Sequence, residues 1–71
     1  MSRNNIIYVA KKQDWYYVIY CDCADNNSTE FCENAIMKMT KKTSKRAKAL
    51  ILAHNIQKKK DTEYGVFEID I

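Results

Sequence analysis

Cys21, Cys23, Cys32 and the single histidine, His54, are the residues of this chain that could ligate a soft metal. Together they would make a Cys3His set. Structural zinc, however, draws paired ligands from turns at Cys-x2–4-Cys spacing, and a one-residue gap inside a strand matches that poorly. The thiols are therefore read as reduced and buried. His54 falls on an apolar helix stripe, where a partly buried core histidine is the simpler reading. No serine or cysteine nucleophile stands at a recognisable spacing from it. Gly65, the only glycine, cannot by itself make a phosphate-cradling loop. Asp22 and Asp25 read as solvated loop acids. These residues predict no catalytic site, no metal and no cofactor, and so a binding protein rather than an enzyme.

The residues with more to say are cationic. Lys38 to Lys60 holds nine of the chain's twelve basic residues and no acid. Five acids and no base lie between Asp14 and Glu33, and four acids and no base between Asp61 and Ile71. A net charge of +3 conceals this division into three blocks, and charge asymmetry points to a partner more than a mean charge does. Lys41, Lys42, Lys45, Arg46 and Lys48 crowd the start of a predicted helix, where the helix dipole disfavours positive charge. That combination of cations and free N–H donors suits phosphate groups, although a solvated lysine face is the competing reading. Tyr16, Tyr20 and Tyr8 could supply an aromatic platform for stacking bases or for anchoring a protein, with core packing as the plainer role and the one expected of Trp15.

The elements that must position these groups are set by periodicity. Ile6 to Lys12 is a β-branched run with Ile7 and Val9 on one face and Ile6, Tyr8 and Ala10 on the other. After a tight Lys11-Lys12-Gln13-Asp14 turn, Asp14 to Cys23 is a strand apolar on both faces. Trp15, Tyr17, Ile19, Cys21 and Cys23 alternate with Tyr16, Val18, Tyr20 and Asp22, so this strand is expected at the centre of the sheet. Ala24 to Thr29 reads as a loop. Glu30 to Lys42 fits a helix, with Phe31, Ala35 and Met39 aligned and Asn27 and Glu30 at capping-box spacing. It also fits a strand, and a strand is the expectation taken here, because the short polar loop suits a hairpin. Thr43 or Ser44 then caps a helix running to about Lys58. That helix carries two apolar stripes, Ala47, Leu50, Ile51 and His54 against Ala49, Leu52, Ala53 and Ile56. One stripe suffices for a small sheet, so the second should meet a partner, another subunit or the 30s segment. Tyr64 to Ile71 is a final strand with Phe67, Ile69 and Ile71 inward. The fold class expected is α+β: a small antiparallel sheet with one helix packed on it, in the order β-β-β-α-β.

At 71 residues, 46% hydrophobic and 30% charged, the chain suits a single small domain spanning 1–71, globular rather than disordered. No N-terminal apolar run reads as a signal peptide, and no stretch approaches the roughly 20 apolar residues of a membrane span. Three cysteines, an odd number, favour a reduced protein in the cytoplasm.

Two resemblances add to this. Met37 to Leu50 (MKMTKKTSKRAKAL) looks like the strand-to-helix junction of double-stranded-RNA-binding domains. It is also similar to the three-stranded-sheet-plus-helix DNA-binding domains at the N-termini of phage integrases. The resemblance implies that Lys41, Lys42, Lys45 and Lys48 contact a nucleic-acid backbone. Neither family's pattern contains the strand at Tyr64 to Ile71. As a whole, the chain resembles the small phage-encoded proteins that block host defences, of the anti-CRISPR or toxin-neutralising (antitoxin) type, which act stoichiometrically. That second resemblance implies an inhibitor of a host nuclease or ribonucleoprotein, acting through a basic helix face and an aromatic sheet face in the host cytoplasm. The alternative is a small RNA- or DNA-binding module, and a homodimer through the second helix stripe is a third, structural possibility.

Overall fold

A computed structural model of the protein describes residues 5–22, 28–62 and 64–71. The expectations placed on Cys23, Asp25 and Asn27 concern residues outside that set. The elements are β1 (Ile6–Lys12), β2 (Trp15–Cys21), α1 (Ser28–Lys38), α2 (Arg46–Lys60) and β3 (Val66–Asp70). The α+β class holds, but the order is β-β-α-α-β, with a second helix where a third strand was expected.

β1 is the central strand, in the order β2-β1-β3. The expectation had put β2 there. The run Ile6-Ile7-Tyr8-Val9-Ala10 carries no charge, and all five residues are buried, as a strand covered on both faces requires. β2 is also apolar on both faces, but Trp15, Tyr16 and Tyr20 carry polar tips and tolerate a partly wet edge. β1 and β2 pair antiparallel through Ile6↔Cys21 to Lys12↔Trp15. The hairpin turns at Gln13, which takes a left-handed φ of 58°. β3 pairs parallel to β1, Ile7↔Val66 to Lys11↔Asp70, so the sheet is mixed rather than antiparallel. Its ends are closed by Ile7 N–H donating to the Gly65 carbonyl at 2.9 Å and Ile71 N–H to the Lys11 carbonyl at 2.8 Å.

Strand alternation sends the two sides of the sheet to two different helices. On one side Ile6, Tyr8, Ala10, Tyr17, Ile19 and Cys21 pack with Cys32 and Ile36 of α1, joined by Phe31, Ala35 and Met39. Within α1, Phe31, Cys32, Ala35 and Ile36 recur at helical spacing, which explains why the segment is a helix: a strand would have buried Ala35 and Met37 together, whereas Met37 is 80% exposed. On the other side Ile7 and Val9 pack with Ala49 and Ala53 of α2, flanked by Tyr16, Val18, Tyr20, Leu50, Ile56 and Val66. Alanine at both buried α2 positions lets the helix approach β1 closely. Burial of Ile7, which is wholly enclosed, is worth about 1.5–3 kcal/mol relative to exposure.

α2 begins at Arg46, with Lys45 at the N-cap position and no side-chain cap of its own. Thr43, expected to cap it, instead forms a bridge to the outer edge of β2. Its N–H donates to the Tyr16 carbonyl at 3.0 Å and its carbonyl accepts from the Tyr16 N–H at 2.7 Å. The Thr43 hydroxyl accepts from the Lys45 N–H at 3.2 Å. At the other end Asp61, with φ 51°, donates its N–H to the Gln57 carbonyl and closes the helix. The Gln57 side chain is tied to Thr62 through Nε2 and Oε1. Among the described residues no helix is long and apolar enough to cross a membrane.

Candidate binding surface

The connection between the two helices places the expected cations. Lys41 and Lys42 lie in the extended segment before α2, Lys45 caps it, and Arg46 and Lys48 occupy its first turn. All five are exposed. Arg46 is committed within the molecule. Its Nε and Nη2 donate to the two carboxylate oxygens of Glu68 at 2.8 and 2.7 Å, a bidentate fork from α2 to β3. The fork holds the Glu68 carboxyl below, and the Arg46 guanidinium above, its ordinary protonation range. The pair also brings an acid to the positive end of α2, whose own first turn contains none. Among the described residues Lys41, Lys42, Lys45 and Lys48 form no salt bridge.

Tyr16 and Tyr20 do share a sheet face, as expected, but that face is the one beneath α2, and both rings are half-buried. The Lys60 ammonium stands 5.0 Å from the centre of the Tyr20 ring and the Lys11 ammonium 6.0 Å from that of Tyr16. The Tyr20 hydroxyl accepts from Asn5 Nδ2 at 3.3 Å. Bases would have to displace lysines and a helix to stack there. Tyr8, the third candidate, is buried against α1, edge-on to Phe67.

The core role expected of Trp15 is not what the structure shows. Trp15, at the start of β2, is 38% exposed, and the Lys42 ammonium sits over its ring at 4.5 Å from the centre. Beside this pair runs a groove of about 500 Å3. Tyr16 and Val18 of β2, Met39, and Leu52 and Ile56 of α2 supply its apolar lining, while Lys41 and Lys42 line it from the connecting segment. Leu52 is 53% exposed. The sequence signal for the groove was the helix stripe containing Ala49, Leu52, Ala53 and Ile56: its alanines meet the sheet, and its larger members spill past the edge of β2. Of the opposite stripe, Leu50 is half-buried against the same cluster, while Ile51 is 61% exposed and His54 and Ala47 are exposed as well.

Cys21 and Cys32 are buried on the α1 side of the sheet, whereas His54 lies on α2, across the sheet. The two thiols and the imidazole therefore cannot share a metal or act as a base and nucleophile pair. Burial, and secondarily the neighbouring Cys21, pushes the Cys32 thiol up to about 11. A second, polar cleft of about 240 Å3 involves Lys11, Arg46, Glu68 and Asp70, mixed in sign and largely occupied with itself.

Set against family models, curated proteins and solved structures, this chain finds no match.

Proposed function

We propose that the protein is a non-enzymatic, stoichiometric inhibitor of the kind seen among small phage-encoded proteins. Its target would be a host defence nuclease or ribonucleoprotein, and its contact surface the Lys41–Lys48 region. The observation that carries this reading is the juxtaposition of an apolar groove with exposed lysines that form no salt bridge among the described residues. Cations alone serve solubility as readily as binding. Cations bordering a groove with a half-exposed leucine and a cation-capped tryptophan resemble a protein interface, in which apolar anchors give affinity and charge gives orientation.

The alternative, an RNA- or DNA-binding module, draws on the same lysines. It draws less on Arg46, whose fork is taken by Glu68, and less on Tyr16 and Tyr20, whose rings are half-buried beside lysines.

The test is affinity capture from host lysate with and without nuclease, using the natural chain and a Lys41→Glu/Lys42→Glu/Lys48→Glu variant. A discrete nuclease or nucleoprotein recovered in both conditions and lost with the variant supports the proposal. Recovery that collapses on nuclease treatment assigns the lysines to nucleic acid instead. Recovery unchanged by the variant refutes a role for the basic surface.

A further inference from the structure

We infer that the groove between α2 and the 39–43 segment receives one large apolar side chain from an acidic segment of a protein partner, with Lys41 and Lys42 taking the flanking carboxylates. The inference rests on the reading above, that the chain binds a protein, and specifies how.

Size comes first. At about 500 Å3 the groove falls within the roughly 300–1,000 Å3 typical of sites that enclose a compact ligand. Its lining is apolar where it is deepest in the fold: Val18 belongs to the packed face of β2, and Ile56 is half-buried against the same cluster. Leu52 and Met39 stand at its sides. Such a surface rewards a side chain that can be desolvated, which a phosphate cannot be without cost.

Charge fixes the rest. Among the described residues no acid lines the groove, two lysines face it, and no acid occurs anywhere from Lys38 to Lys60. Glu68, the acid that reaches the start of α2, is held by Arg46. Lys42 is also positioned, its ammonium steered by the Trp15 ring at 4.5 Å. A complementary occupant therefore carries negative charge on either side of an apolar anchor. A strand or loop with a Leu, Phe or Trp between Asp or Glu residues satisfies both conditions, and a nucleic-acid backbone satisfies only one.

The probe is a random dodecapeptide display library selected on the full chain, followed by titration of the consensus peptide against Trp15 fluorescence and fluorescence anisotropy. The expected consensus is an apolar anchor flanked by acids. Its affinity should fall by about tenfold or more with Leu52→Glu, and similarly when the anchor is replaced by alanine. Leu52 is half-exposed, so Leu52→Glu should fold; if circular dichroism shows otherwise, Leu52→Ser replaces it. The inference is overturned by a consensus without acids or without an anchor, by binding indifferent to Leu52, by the absence of any selected peptide, or by sedimentation showing that the groove is closed by a second copy of the chain. Failure here is separable from failure of the proposed function. If Leu52→Glu leaves partner capture intact while the triple lysine reversal abolishes it, the basic surface stands and the groove falls. If neither variant affects capture, both fall.

Discussion

Cys32 is the residue at which the interior can be titrated. It is fully enclosed among Tyr8, Ile36 and their neighbours. In the unfolded chain its thiol ionises near the ordinary value of 9.0, whereas in the fold burial holds the proton until about pH 11. The raised folded-state value sets the sign. Below pH 9 both states are protonated and stability is unaffected; between 9 and 11 only the unfolded chain releases the proton, and stability falls by at most about 1.4 kcal/mol per pH unit. Urea unfolding of the natural chain and of Cys32→Ala across pH 8–11 checks this. The difference between the two proteins should shrink as pH rises, and a constant difference would show that the thiol ionises freely in place. At the same scale, the facing of Tyr16 and Tyr20 was legible, because alternation along a strand is strict. The lysines over their rings were not. Lys60 stands forty positions from Tyr20 in the sequence, and only a helix laid across the sheet brings them together.

The element that decides the architecture is α2, because it covers the sheet with one of two nearly equivalent apolar stripes. Ala49 and Ala53 are completely buried against Ile7 and Val9, while Ile51 is 61% exposed. Enlarging the tight contact should therefore cost far more than charging the loose one. Ala53→Leu is expected to destabilise by about 1–3 kcal/mol through overpacking, and Ile51→Lys to stay within about 0.5 kcal/mol. Thermal denaturation of the two variants measures both. A large loss on Ile51→Lys would show that this stripe is covered by something in solution, a second copy first among the candidates. The sequence showed the two stripes but could not choose between them, since the choice depends on side-chain volume at the crossing with β1. It also left α1 open. Phe31, Ala35 and Met39 satisfy helix spacing, and Met37 added to them completes a strand pattern; what settles the matter is that Cys32 and Ile36, off the strand register, are the residues the core takes up. The central place of β1 was not readable from the absence of charge, which β2 shares over Trp15–Cys21, and neither was the parallel pairing of β3, because it depends on two helices carrying the chain back across the sheet.

At the scale of the molecule, the Arg46–Glu68 fork is where, among the described residues, a salt bridge joins the basic block to the C-terminal acidic one. Lys41 and Lys42, which line the groove, and Lys45 and Lys48, at the start of α2, remain exposed. Salt distinguishes what these lysines are for. If four lysines neutralised four phosphates of a duplex, log K would fall by roughly 3.6 for each tenfold rise in salt, following counterion release of about 0.9 per phosphate. An acidic protein segment seated by an apolar anchor has no condensed ion atmosphere to release, and the desolvated anchor keeps its share of the affinity in salt. Over the same tenfold range its affinity should change by no more than about tenfold. Measured from 50 to 500 mM salt on the captured partner, a shallow dependence combined with sensitivity to Leu52→Glu fits an anchored protein interface. A steep dependence indifferent to Leu52 would assign the same four lysines to a nucleic-acid backbone and leave the groove without a part in binding.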